Sequence, residues 1–326
     1  MATPTKCHAC SGVEMSALDL SGVHVPLITP FDPVTGDVDT VALRANVRAL
    51  MEQGVAGVVV SGSTGEAVFL DESERRTLIQ AARAVVPGDR LLLAGVGAES
   101  TRATVRMTAT AAEEGADAVL VMPPAFYKGA MTPEALREHY TAVADASLLP
   151  VLVYQVPPHL STVDLSAGLV AELARHENIV GIKESRGSLE QMGELLHACP
   201  RDFQVLVGSG ALLYGALEMG AVGGIVAVGH MAPGASVAVH RQFKAGNAPE
   251  AGRLQERIGP LHKEIVGGMG VPGIKVALDL LGQRGSRPRS PLRPLPEKRK
   301  EEVVGALRRA GLLPAERTQR EAVSTD

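Results

Sequence analysis

The chain has 326 residues, a formal net charge of −4, 45% hydrophobic residues and only 3% aromatic ones. That length suits one large domain or one domain with an appendage, and the acidic balance gives no electrostatic basis for a nucleic-acid partner. No run approaches the roughly 18 apolar residues of a membrane span, so no membrane association is expected.

The three cysteines, Cys7, Cys10 and Cys199, are too few for a disulfide framework and suit a reducing cytoplasm. Cys7-His8-Ala9-Cys10 has the spacing of a metal or redox pair. No second pair follows it, so incidental thiols on a flexible tail are expected. The N-terminus lacks the long apolar core of a signal peptide. Residues 1–18 are polar and irregular, and they are expected to form that tail.

The first strand is predicted over residues 22–29, closed by Pro30, and a helix over 39–52 carries apolar Val41, Leu43, Val47, Leu50 and Met51. Gly54 stops that helix. The second strand, 57–60, runs into Ser61-Gly62-Ser63-Thr64-Gly65-Glu66, a loop of small residues and hydroxyls. Asp71 and Glu74 have capping-box spacing at the start of a helix that reaches Val86. Further strands are predicted over 90–95, 118–122, 151–154, 179–183, 203–207 and 224–228. The helices that follow them cover 101–114, 134–146, 165–175, 189–198, 211–219 and 235–243. Pro133 suits a first helical position.

Eight strand–helix pairs within about 225 residues predict a (β/α)8 barrel. An open doubly wound sheet would carry a glycine-rich turn after its first strand, where this chain has Thr29-Pro30-Phe31. From residue 247 the alternation stops, and helical patterns cover 248–264, 274–281 and 297–310. The expected organisation is a tail over 1–18, a barrel domain over 19–246, a C-terminal helical domain over 247–313 and a second tail over 314–326. A basic stretch holds Arg284, Arg287, Arg289, Arg293, Lys298, Arg299 and Lys300. It lacks interleaved aromatics and is expected to be a solvated surface.

Catalytic groups of such barrels come from the C-terminal ends of strands and the loops after them. Those positions hold Ser63, Thr64, Gly65 and Glu66 after strand two, Phe126, Tyr127 and Lys128 after strand four, and Tyr154 at the end of strand five. They continue with Lys183 at the end of strand six, Gly208 and Ser209 after strand seven, and Ile225 on strand eight. A lysine ending the buried strand Ile179-Val180-Gly181-Ile182-Lys183 either snorkels to solvent or serves as an amine nucleophile. With Tyr154 on the neighbouring strand the set fits Schiff-base chemistry. The amine attacks a ketone, water leaves, and the protonated imine becomes an electron sink, while the phenol shuttles protons. The hydroxyls and amides of the Ser63-Thr64-Gly65 loop suit a carboxylate. None of these strand-end positions forms a cluster with metal-ligand spacing, and no cofactor is expected.

The motifs Gly62-Ser63-Thr64-Gly65-Glu66, Tyr154-Gln155-Val156-Pro157, Gly181-Ile182-Lys183-Glu184-Ser185, Gly208-Ser209 and Gly270-Val271-Pro272-Gly273-Ile274-Lys275 carry a resemblance. Over residues 20–313 the chain resembles the dihydrodipicolinate synthase / N-acetylneuraminate lyase family of class I pyruvate aldolases. Within it, Arg90 to Gly95, Glu99-Ser100-Thr101, Tyr127-Lys128-Gly129 and Asp202 to Leu206 are similar to 4-hydroxy-2-oxoglutarate aldolase. The resemblance implies a TIM barrel, an imine between Lys183 and pyruvate or another 2-oxo acid, and Tyr154 as proton shuttle. It also implies carboxylate binding by Ser63 and Thr64, and a homotetramer built as a dimer of dimers.

Two departures bear on the reaction. Where dihydrodipicolinate synthases carry an arginine that grips the aldehyde's carboxylate, Pro157-Pro158-His159 places His159, either a pocket residue or a surface one. A neutral imidazole does not replace a bidentate guanidinium. The family's second tyrosine, which crosses from a neighbouring subunit, aligns with Phe126, beside Tyr127. Either Tyr127 takes the relay through a shifted loop, or water does, or the relay is dispensable. The expected activity is reversible cleavage of a 4-hydroxy-2-oxo acid to pyruvate and an aldehyde. Dihydrodipicolinate synthase, a sugar-acid dehydratase using the same imine, and a non-catalytic 2-oxo acid binding protein are the alternatives.

Overall fold

A computed structural model describes residues 18–314; Cys7, Cys10 and both expected tails lie outside the described residues, save the two at their inner ends. Eight parallel strands close into a barrel in sequence order. They are β1 (Gly22–Pro26), β2 (Gly57–Val60), β3 (Leu91–Gly95), β4 (Ala118–Val121), β5 (Val151–Gln155), β6 (Ile179–Glu184), β7 (Gln204–Val207) and β8 (Gly223–Ile225). The ring of helices comprises α1 (Thr40–Glu52), α2 (Glu72–Arg83), α3 (Thr101–Glu113), α4 (Pro133–Ala146), α5 (Ala167–Leu173), α6 (Leu189–Ala198), α7 (Leu213–Met219) and α8 (Pro233–Lys244). The chain then continues through α9 (Ala248–Leu261), α10 (Gly268–Leu280) and α11 (Glu297–Arg309). No helix among the described residues is long and apolar enough to cross a membrane.

The strands are apolar on both faces because both faces are buried. Val58, Val60, Val119, Val121, Val151 and Val153 point outward into the layer beneath the helices, with Leu43, Leu50 and Leu136. Val59, Leu93, Leu120, Leu152, Leu206 and Ile225 fill the barrel interior. The helices start where their caps dictate. Asp71 and Glu74 form the full capping box at α2, and Thr132 caps α4 with Pro133 in its first turn.

One irregularity decides which way Lys183 faces. On β6, Ile179 pairs with Val151 and faces outward, while Gly181 pairs with inward-facing Leu152, so Val180 is an extra residue at a bulge. Strict alternation from Ile179 would send Lys183 outward as well. The bulge reverses the parity and aligns Lys183 with Tyr154 on one side and Leu206 on the other, both inward-facing.

Several boundaries differ from expectation. β1 ends at Pro26 rather than residue 29, because the Ile28 amide bonds to His230 Nε2 at 3.2 Å instead of continuing the ladder. β8 ends at Ile225, and residues Ala227–His230 form a 3₁₀ turn. The C-terminal patterns do not separate at residue 264: α9 passes through a π-helical turn, His262–Gly267, directly into α10, which is broken at Gly270 with φ 62°. Apolar periodicity carries no signal for a π turn, whereas Pro260 inside α9 disturbs the regular ladder. Arg289 also departs from the solvated surface expected of its basic stretch. Its guanidinium pairs with Glu74 at 2.6 Å, donates to the Phe69 carbonyl at 2.9 Å and lies 4.2 Å from the Phe31 ring centre.

Candidate active site

A cavity of about 330 Å³ opens at the C-terminal end of the barrel, where Ser63, Thr64, Tyr154, His159, Lys183, Gly208, Ser209 and Ile225 all line the wall. That volume falls in the range of small-molecule pockets. Lys183 is 6% exposed, and its Nζ lies 4.4 Å from the Tyr154 ring centre. Register pairing on adjacent strands, with both side chains turned inward, brings these two together.

The described residues contain two buried lysines with opposite surroundings. Lys275, on α10, has Glu66 Oε1 at 2.6 Å and donates to the Thr29 carbonyl at 2.8 Å and the Arg287 carbonyl at 3.0 Å. Burial pulls its pKa down, and Glu66 opposes the shift. Lys183 has no carboxylate at ion-pair distance among the described residues and faces a cavity. One amine is matched inside the fold; the other faces the cavity.

Ser63 and Thr64 lie on a 3₁₀ turn, Ser63–Gly65, at the mouth of β2. The turn is held from beneath: Thr29 Oγ1 donates to the Gly65 carbonyl at 2.7 Å, and the Arg289 amide donates to Glu66 Oε2 at 2.7 Å. Glu66 itself takes the left-handed conformation, φ 58°, which a non-glycine residue adopts only when its surroundings hold it there. Gly65 is buried under the turn and does not line the cavity; a Cβ there would lie 3.0 Å from the Leu27 carbonyl oxygen.

Tyr127 does not line the cavity of the single chain either. It is 73% exposed and Phe126 76% exposed, their rings edge to face at 5.0 Å. Glu99 anchors this loop by accepting from the Phe126 amide at 2.9 Å and the Ala125 amide at 3.1 Å.

Three wall groups escape a strand-by-strand reading. Ser185 Oγ is buried with no hydrogen-bond partner among the described residues, and it packs where a side chain on Gly208 would stand. Arg186 lines the cavity with its guanidinium on Glu184, 2.7 Å, and Asp164, 3.0 Å. Burial opposes its charge, and those two carboxylates hold its pKa above the ordinary value. His262 comes from the π turn and contacts Ser209 Oγ at 3.2 Å. Ser185 ends the lysine motif and Arg186 directly follows it, so their position was a signal for them. For His262, nearly 80 residues later, nothing local pointed to the pocket.

A profile of the dihydrodipicolinate synthetase family matches residues 19–310. The 4-hydroxy-tetrahydrodipicolinate synthase of Mesorhizobium japonicum is 35% identical over 295 residues, 90% of this chain and 99% of that protein. The probable mitochondrial 4-hydroxy-2-oxoglutarate aldolase of Emericella nidulans is 34% identical over 274 residues, 83% of this chain and 88% of that one. Among solved structures, a dihydrodipicolinate synthase aligns with a TM-score of 0.85 at 31% identity, covering 90% of this chain and 100% of its own. A prophage protein of the same family from E. coli, in complex with pyruvate, aligns with a TM-score of 0.85 at 28% identity over 90% of this chain and 99% of its own. Fold, motifs and full-length similarity agree: the chain belongs to the dihydrodipicolinate synthetase family, whose enzymes are class I, Schiff-base, pyruvate-dependent lyases.

Proposed function

We propose that this protein is an aldolase that reversibly cleaves a 4-hydroxy-2-oxo acid into pyruvate and an aldehyde, in the manner of 4-hydroxy-2-oxoglutarate aldolase. The observation that carries this reading is the contrast between the two buried lysines, of which only Lys183 faces the cavity without a carboxylate partner. In this reading the Lys183 amine attacks C2 of the keto acid, and Tyr154 gives its proton to the departing hydroxide, so that water leaves and a protonated imine stands beside a phenolate. Tyr154 takes the proton of the C4 hydroxyl as the C3–C4 bond breaks. The bonding pair flows into the imine as an enamine, and the aldehyde departs. Protonation at C3 and hydrolysis then return the lysine and release pyruvate. Ser63 and Thr64 hold the C1 carboxylate through their hydroxyls and the amides of the 3₁₀ turn. Gly208, Ser209, Ile225 and His159 form the rest of the substrate wall.

His159 favours this reaction over dihydrodipicolinate synthesis. It is exposed at the pocket rim where a carboxylate-gripping guanidinium is expected for the synthase, and Arg186, the guanidinium that is present, is already engaged by two carboxylates. The synthase reading draws on the Mesorhizobium japonicum relative, whose identity, 35%, is close to the 34% of the Emericella nidulans aldolase. The proposal includes a homotetramer in which the exposed Tyr127 reaches a neighbouring copy's pocket as the relay, and a reducing, cytoplasmic setting.

Borohydride reduction in the presence of pyruvate, followed by peptide mass analysis, tests the assignment. A reduced adduct on the Lys183 peptide is expected, absent in Lys183→Ala; an adduct elsewhere, or none, would overturn it. Turnover of 4-hydroxy-2-oxo acids, compared with condensation of pyruvate and aspartate semialdehyde, separates aldolase from synthase.

A further inference from the structure

Ser209 sits on the turn after β7, three strands round the barrel from the Ser63–Thr64 turn, and lines the same cavity from another part of its wall. Two side chains from the C-terminal helices clasp that turn. Gln255, on α9, accepts from the Tyr214 amide at 2.9 Å and donates to the Gly210 carbonyl at 3.0 Å. His262, at the start of the π turn, contacts both the Gly210 amide and the Ser209 hydroxyl, each at 3.2 Å.

The proton positions follow from the chemistry of these groups. A backbone amide only donates, so the Gly210 N–H requires a lone pair on His262 Nδ1. The neutral ring then carries its proton on Nε2, which faces Ser209 Oγ and donates to it. A doubly protonated ring would set Nδ1–H against the Gly210 N–H. Burial, reinforced by Lys263, disfavours that form and pulls the His262 pKa down to about 4. With Oγ already accepting, the hydroxyl proton must go elsewhere. No protein acceptor for it exists among the described residues, and Ser209 lines the cavity.

We propose that His262 is a positioning residue that fixes Ser209 as an obligate donor to an oxygen on the aldehyde-derived half of the substrate. This rests on the aldolase reading above and adds a specificity element from the C-terminal helices. The group read by Ser209 is an acceptor, a carboxylate or alkoxide oxygen of the 4-hydroxy-2-oxo acid, and a substrate lacking that oxygen gains nothing from it. Gln255 holds the turn independently, so loss of the imidazole removes the proton ordering while leaving the backbone anchored.

The test compares His262→Leu, His262→Asn and His262→Gln, each alone and with Ser209→Ala. 4-Hydroxy-2-oxoglutarate serves as cleavage substrate, and pyruvate with borohydride as the probe of imine formation. Asn reproduces the Nδ1 acceptor, and Gln reproduces the Nε2 donor. The Leu and Asn variants are expected to raise KM for the hydroxy-oxo acid about tenfold, the loss of one hydrogen bond. Gln is expected to recover most of it, and pyruvate trapping on Lys183 should be unchanged in all three. The effect should vanish in the Ser209→Ala background. Rescue by Asn but not Gln would make His262 a mere backbone pin and overturn the proposal. So would a Leu variant with unaltered KM, or an effect that persists without Ser209. If Leu does not fold, the Asn–Gln pair decides alone. A wild-type protein that forms no pyruvate adduct on Lys183 would instead overturn the aldolase reading, and this proposal with it.

Discussion

Replacing Lys275 with methionine should damage both stability and the Ser63–Gly65 turn, which is proposed to hold the substrate carboxylate. Its Nζ lies 2.6 Å from Glu66 Oε1, an ionic contact outside hydrogen-bond angles, with both side chains fully buried. At an effective dielectric of about 20 the gross attraction is about 6 kcal/mol, and desolvation of the two ions, several kcal/mol each, offsets much of it. The intact pair therefore contributes little net stability. Removing one partner is different, because the other charge stays buried without compensation, at about 3–5 kcal/mol. The Thr29 and Arg287 carbonyls also lose their donor. The lower end is expected, since the Arg289 amide still bonds to Glu66. Urea denaturation of Lys275→Met should thus show a loss of about 3 kcal/mol. The paired variant Glu66→Gln/Lys275→Met should regain at least half of it, because no bare charge remains. Glu66 directly follows the Ser63–Gly65 turn, so KM for pyruvate should rise in the single variant and partly recover in the double. A single variant within about 1 kcal/mol of wild type, or a double variant that loses the sum of both singles, would refute the coupling.

Tyr154→Phe keeps the ring over Lys183 but removes the phenolic proton, so turnover should fall about 10²- to 10⁴-fold while borohydride still traps pyruvate; unchanged turnover would remove Tyr154 from the mechanism. Acid should destabilise the fold in a window set by buried histidines. His24, His230 and His262 are held by burial at about 4 against an ordinary 6.5, so between those values the unfolded chain binds more protons. Stability should therefore fall as pH drops, by about 2 kcal/mol per histidine from pH 7 to pH 5. Denaturation midpoints that match at the two pH values would contradict this. Asp19, Asp32 and Asp71, already below the ordinary 3.8, act only at lower pH. Gly181→Ala places a Cβ 2.4 Å from the Gln204 carbonyl oxygen, next to the bulge that turns Lys183 inward. Slower pyruvate trapping with a modest stability loss is expected, and trapping at the wild-type rate would show that the bulge tolerates the strain.

Much of this molecule is legible residue by residue. Apolar runs bounded by turn residues mark all eight strands, because a parallel strand buried on both faces must be apolar throughout. The capping box at Asp71 and the proline at the start of α4 are local signals and were legible for that reason. The lysine and tyrosine motifs stand on neighbouring strands, so their proximity followed from topology.

What the tertiary structure alone decided are matters of parity and long-range pairing. Whether Lys183 faces the cavity or the helices depends on one extra residue at Val180, and alternation from Ile179 gives the wrong answer. In sequence Glu66 reads as a charge at a strand-end catalytic position and Arg289 as part of a solvated basic stretch. The fold buries the first against Lys275 and docks the second on Glu74, over separations of more than 200 residues. His262 enters the wall through a π turn that no apolar period encodes. Each outcome depends on which distant groups a side chain meets once the barrel closes, and in the extended chain those groups are far apart.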